Sequence, residues 1–301
     1  MADSFSSPGI DPPSPTLSAR LRELADFLAA PTAGRLTEEQ RALSLGIARR
    51  LVEDAAGELS ADIDVGALWR DWLDSGLPTA PRLAAACFAR AEEHRWREQS
   101  ARRIAVPVVV PVEGDEPPAP ETPDATPDTT PEADRAYLAL RIADRRRADG
   151  RGSPRIALED VEPELLRALL LDIAAWRMVQ AGKDGELAAG LGEAVRKVVE
   201  YRAAIPGIDV AARQYLAALG EGTAVEAAAA SAIDRHDWLA LVALAAAASR
   251  RSFADMALAL TSAEAAALPA LLAPLRLDRT SLAPLEASLA ALPSRTVETR
   301  G

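Results

Sequence analysis

The stretch Ile156–Ala181, IALEDVEPELLRALLLDIAAWRMVQA, constrains the fold more than any other part of the chain. Leu165, Leu166, Leu169, Leu170, Ile173, Trp176 and Met178 recur at helical spacing, and the stripe is wide enough to face neighbours on two sides. Glu164, Arg167, Asp172 and Arg177 interrupt it too often for a bilayer span. A helix this apolar must be wrapped by others. The chain is 49% hydrophobic but only 4% aromatic, so its core is built largely from Ala and Leu. Alanine has the best helix propensity and lets helices approach closely. No stretch alternates with the period of two that a strand needs. The expected class is all-α.

Capping and breaking signals divide the 301 residues into short helices. A helix is expected over Leu17–Ala30. Another starts at Thr37, where Gln40 completes a capping box, with Leu43, Ile47, Leu51 and Ala55 inward. A third covers Asp64–Asp74, and a fourth starts at Thr79 and runs towards Arg103. The later helices read as Glu132–Asp149, the central stretch, Glu186–Ala203, Asp209 (cap)–Leu219, Thr223–Arg235, Asp237 or Trp238–Ser249, Ser252 (cap)–Leu260 and Thr261–Leu275, with a last one from Thr280. In the penultimate one, Glu264 completes a second capping box with Thr261, and Pro269 introduces a kink. Such lengths, with short turns between them, describe stacked antiparallel helical hairpins.

The charge of −11 is unevenly spread. Residues 104–133 hold seven acids and no base, and eight prolines lie between Pro107 and Pro131. A segment so poor in apolar side chains cannot offset its ordering entropy. It reads as a disordered acidic Pro/Thr linker whose apolar front, IAVPVVVPV, either lies on the preceding helices or adds to a partner. The expected organisation is a disordered tail over 1–16, an N-terminal helical module over 17–103, the linker over 104–133 and a larger array over 134–301.

Three stretches resemble the bacterial domain-of-unknown-function family 2336: Leu36–Ile63 (LTEEQRALSLGIARRLVEDAAGELSADI), the central ALEDVEPELLRALLLDIAAWRMVQAG and Asp234–Leu258 (DRHDWLALVALAAAASRRSFADMAL). The resemblance implies a HEAT-like helical-repeat fold and carries over no catalytic residue.

The candidate chemistry is sparse. One cysteine, Cys87, excludes an internal disulfide framework, and with two histidines no set of soft metal or haem ligands exists. No cofactor is expected. The N-terminus has neither a basic nor an apolar leader region, and the longest uncharged apolar run, Trp238–Ser249, is too short for a membrane. These features point to the cytoplasm. His94 and His236 each lie beside carboxylates, but neither has a nucleophile or third ligand at a meaningful spacing; solvated helix-end histidines account for them. Cys87 lies in the apolar run LAAACFA and reads as a buried small residue. The Gly-rich 181–195 lacks phosphate-loop spacing and reads as a helix end followed by a new start.

The sharpest charged feature is Arg135–Arg155, with seven arginines against Asp144 and Asp149. It offers Arg141, Arg145, Arg146, Arg147, Arg151 and Arg155 as an anion or partner-binding set, or as a solvated face beside the acidic linker. The run Arg145–Arg147 is expected to face solvent. Both histidines also sit in a His-x-Trp triplet, His94-Arg95-Trp96 and His236-Asp237-Trp238. One explanation is duplication, with Leu83–His94 and Val225–His236 as equivalent helices; the other is chance between two Ala-rich helices. Together these features predict a non-enzymatic helical scaffold that binds a protein partner. A nucleic-acid-associated regulator using Arg135–Arg155 is the alternative, and an enzyme built from scattered acids ranks third.

Overall fold

The computed structural model describes residues 36–60, 62–75, 80–105, 130–182 and 184–292. The expected tail, the helix Leu17–Ala30 and residues 106–129 of the linker lie outside them. The linker's last residues begin a helix, and Ala105 ends the one before it.

Among the described residues the chain is all-α, with one isolated bridge between Ala148 and Pro154. The helices are α1 (Glu38–Leu59), α2 (Val65–Ser75), α3 (Ala80–Ala105), α4 (Pro131–Arg145), α5 (Pro163–Ala181), α6 (Gly185–Ala203), α7 (Ile208–Leu219), α8 (Thr223–Asp234), α9 (Trp238–Ala248), α10 (Phe253–Ser262), α11 (Leu268–Leu271) and α12 (Ala283–Ala290). Single 3-10 turns precede α5, flank α11 and precede α12. None of the described helices is long and apolar enough to cross a membrane.

Local signals account for most boundaries. Thr37 caps α1, and Gln40 returns the hydrogen bond to its backbone at 3.0 Å. Thr130 caps α4 with Pro131 behind it, Asp184 caps α6, Asp237 caps α9 and Ser252 caps α10. Four expected starts differ. The central helix begins at Pro163 and not Ile156, after the 3-10 turn Leu158–Asp160, and the last begins at Ala283 after the 3-10 turn Arg279–Leu282. Gly207, not Asp209, precedes α7; Asp209 lies in its first turn and reaches across to accept from the Phe253 backbone N–H at the start of α10, 2.6 Å away. Thr261 lies in the last turn of α10 and donates to Ala257 O at 2.9 Å, so the box with Glu264 does not form and Ala265–Leu275 breaks into short turns. Pro269 and Pro274 at the first turns of these pieces suit such breaks.

The apolar side chains gather into two cores. One joins α1, α2, α5, α6 and the first half of α3, including Leu83, Cys87 and Phe88. The other joins α4 and α7–α12 to Trp96, further along α3. The long α3 therefore runs through both, packing on α1 and on α10. The central element is a correction. The expected centre, α5, buries Leu165, Leu166, Leu169, Leu170 and Ile173 on one side and leaves Leu171 and Val179 in solvent. The helix enclosed on all sides is α9, buried continuously from Trp238 to Ala246.

The duplication expectation fails. His94-Arg95-Trp96 lies inside the unbroken α3, whereas His236 takes a left-handed φ of 56° in the turn between α8 and α9. The two tryptophans are instead partners: Trp96 stacks on Trp238 with ring centroids 5.1 Å apart. Trp96 also donates to Ser288 Oγ on α12 at 2.9 Å.

Candidate functional site

Where α3 passes from one core to the other, its side chains change from apolar to charged, in the run Arg90-Ala91-Glu92-Glu93-His94-Arg95. Arg90, Glu92, Glu93 and Arg95 are all buried. Buried charges persist only when paired, and here they form two sets.

On the α1 side, Glu92 accepts from Arg95 at 2.8 Å and from Gln40 Nε2 at 3.0 Å, so the residue that completes the α1 cap also hydrogen-bonds a carboxylate of this band, whose charge Arg95 offsets. On the other side Glu93 takes a bidentate pair from Arg147, at 2.7 and 3.1 Å, and a bond from Arg97 at 3.0 Å. Arg97 in turn grips Asp144 of α4 bidentately, at 2.7 and 2.6 Å. The Arg147 guanidinium lies over the Phe253 ring, 4.8 Å from its centroid. Arg90 approaches Glu93 at 3.3 Å and donates to the carbonyls of Arg147 and Arg155, at 2.8 and 3.2 Å.

The electrostatics follow from this geometry. Burial alone would raise the Glu93 carboxyl, but Arg147, Arg90 and Arg97 outweigh it and hold it well below the usual carboxylate range. Asp144 behaves likewise, burial being overruled by Arg97. Arg147 is pushed up despite burial because Glu93 and Asp160 face it. Burial pulls Arg90 down to about 10, since its contact with Glu93 lacks the paired geometry Arg147 has. It remains a cation at neutral pH. Asp160 is raised by burial, which Arg147 only partly opposes.

The six arginines expected to form an anion or partner-binding surface are divided by the fold. Arg141, Arg145 and Arg151 are exposed. Arg146 bonds the Pro206 carbonyl at 2.9 Å and pairs with Glu159 at 2.8 Å. Arg155 bonds the Arg146 carbonyl at 3.0 Å and faces Asp54 at 3.7 Å. The expectation that Arg145–Arg147 faces solvent is wrong for Arg147, which is 4% exposed. The reason is the end of α4: the helix stops at Arg145, and the chain doubles back so that Arg155 N–H bonds the Arg147 carbonyl at 3.0 Å. That turn swings Arg147 inward against Glu93.

His94 is not at a helix end but mid-way along α3, half-buried, its ring held towards the neutral form by burial and by Arg90. Cys87 lies in the first core, and burial pushes its thiol up, away from the reactive thiolate. Among the described residues no group of three or more His, Cys, Asp or Glu is placed to hold a metal.

Beside the charged band a cleft of about 790 Å³ opens between the cores. Its lining, from α3, α5, α6, α7 and α10 and the segment before α5, mixes apolar side chains with five arginines and five acids, among them Arg90, Arg147 and Asp160 where the band comes through. Sequence reading missed Glu93 and Asp160. The spacing of Arg90, Glu93 and Arg97, three and four apart, carried a signal for the first; nothing local marks Asp160, whose Oδ1 accepts from the Ile208 N–H at the start of α7, 2.6 Å away. No family model matches the chain, and neither a curated protein nor a solved structure matches it.

Proposed function

We propose that the chain is a non-catalytic helical scaffold that captures an acidic protein partner on the outer face of α4. The observation that carries this reading is the stripe Arg135, Leu138, Ile142 and Arg145, all exposed, with Arg141 beside it. Residues three and four apart share one side of a helix. Leu138 is 58% and Ile142 55% exposed, a pair of aliphatic side chains that a partner would remove from water. Cations around an apolar strip complement an acidic amphipathic helix, the charges aiding encounter and the apolar contact holding the complex.

The nucleic-acid reading draws on fewer groups. Arg146, Arg147 and Arg155 are engaged within the fold, and the cations left outside are interleaved with Leu138 and Ile142 instead of flat stacking side chains. The HEAT-like reading, and with it the resemblance to family 2336, draws support from consecutive helices that pair, α5 with α6 and α8 with α9 with α10. A solenoid repeat touches only its neighbours, whereas α3 also meets α10 and α12, so the array we propose closes back on its own beginning. The single cysteine needs no oxidising compartment, and we place the protein in the cytoplasm.

The test compares partners retained from host lysate by the full chain, by Leu138→Ser/Ile142→Ser, and by Arg135→Ser/Arg141→Ser/Arg145→Ser. Both variants should lose the same protein, and the wild type should lose it at high salt. A partner kept by both variants overturns the reading. Binding of DNA or RNA that falls steeply with salt, and vanishes in the arginine variant, would shift it to the nucleic-acid alternative.

A further inference from the structure

We propose that the turn after α4 carries an anion site for a dianionic phosphoryl group, held between the Arg145 and Arg151 guanidinium groups beside His94. Two open depressions flank that turn, of about 560 and 440 Å³. Arg145 lines the first and Arg151 the second, and His94 and Gly152 line both, so the two meet there. A Cβ on Gly150 or Gly152 would meet nothing within 4 Å, so the rim between the depressions is open to a bound group.

The charge count selects an anion. The two linings together hold five arginines, Arg50, Arg90, Arg97, Arg145 and Arg151, against three carboxylates, Glu98, Asp144 and Asp149. The groups paired behind them, Arg102 and Arg147 with Glu93 and Asp160, add two of each sign and leave the excess at two.

The two spare cations can be named, because every acid of the linings is engaged. Arg97 grips Asp144 at 2.6 Å, and Glu98 accepts from Arg102 at 2.7 Å. Asp149 accepts from the backbone N–H groups of Arg151 and Ser153, each at 2.8 Å, and faces Arg50 at 3.5 Å. The Arg145 and Arg151 side chains are exposed and make no hydrogen bond or ion pair among the described residues. A phosphoryl group carries about −1.5 to −2 at pH 7, which matches two free arginines, and its oxygens suit the guanidinium fork. His94, half-buried where the depressions meet, adds a ring N–H; Glu98 stands 3.6 Å from its Nε2. Arg145 also borders the α4 face proposed above for a protein partner, and the other groups of this site do not.

The chain has only two histidines, so ring proton resonances read the site directly. The full chain is titrated at pH 7 with inorganic phosphate, the free ion, and with phenyl phosphate, an ester. Each should move the His94 signals saturably, with a Kd of about 1 mM or tighter, and leave His236 in place. The tighter of the two names the source of the group. The midpoint of His94 titration, held down by burial and by Arg90, should rise with either anion bound. Arg145→Ser/Arg151→Ser removes only exposed side chains, so it should fold and bind both anions at least about tenfold more weakly. Arg135→Ser/Arg141→Ser, which strips charge from the α4 face, should leave both within about twofold, so this site and the partner face can fail separately. Acetate at matched ionic strength should not saturate. No response at His94, equal shifts at both histidines, an acetate response equal to that of phosphate, or unchanged affinity in Arg145→Ser/Arg151→Ser each overturns the proposal.

Discussion

The core around α5 and the core around α9 are made of the same residue types, yet they use their central helices differently. α5 carries Glu164, Arg167, Asp172 and Arg177 along nineteen residues, so one side of it must stay in water, and Leu171 and Val179 stay there with the charges. α9 has no charged residue in its eleven and is enclosed by α7, α8, α10 and the 3-10 turn Ala273–Leu275. Total apolar content does not decide which helix becomes the centre. What decides is whether any charged side chain forces a solvent-facing side. The two cores meet at α3 across the band of Glu92, Glu93, Arg90 and Arg95, so their stabilities are coupled there.

The largest effect is expected at that junction. Glu93→Gln leaves Arg147, Arg90 and Arg97 without their shared carboxylate and should cost about 3–5 kcal/mol. Urea unfolding followed separately by tryptophan fluorescence and by helical circular dichroism should show one destabilised transition. Two separated transitions would break the idea that the junction couples the cores.

Next come the cores themselves. Leu241 in α9 and Leu169 in α5 are both fully buried. Truncation to alanine costs about 2–5 kcal/mol depending on how far the surroundings collapse into the space. α9 is hemmed in and α5 is free to shift on its outer side, so Leu241→Ala should fall near the top of that range and Leu169→Ala near the bottom. The reverse order, in denaturant midpoints at equal slope, would undo the comparison.

Acid should act on the junction before it acts on either core. Glu93 and Asp144 have folded-state values below their unfolded ones, so their contribution is complete above about pH 4 and is lost as pH falls through the folded values. Asp160 is raised, so it works the other way and favours the folded state as pH falls. Unfolding free energies measured from pH 6 to pH 3 should decline in the wild type. They should decline less in Asp144→Asn, which removes one of the depressed carboxylates. An unchanged slope would place the acid sensitivity elsewhere.

Smaller effects are expected at the margins. Arg250, exposed between α9 and α10, sits at a left-handed φ of 55°, and Arg250→Gly should raise stability by up to about 1 kcal/mol. Leu171→Ser on the open side of α5 should change it by less than about 0.5 kcal/mol. A large loss there would mean that this side of α5 is covered after all.

The helical class, most helix starts and the buried Cys87 were legible in the sequence because each depends on residues within a turn or two. Thr37 with Gln40, Asp237, and Ser252 cap helices by bonds that span three residues, and an apolar period needs no knowledge of what lies across it. The charged band, the Trp96–Trp238 stack, the remote caps Asp160 and Asp209, and the inward turn of Arg147 were not legible. Each depends on a partner brought close only by the fold: Glu93 meets Arg147 across 54 positions, Asp160 meets Ile208 across 48, and Trp96 meets Ser288 across 192. An arginine's own neighbours say how many cations a segment carries. Which of them is buried depends on whether a carboxylate on another helix lies close enough to offset the loss of water, and tertiary packing alone put Glu93 there.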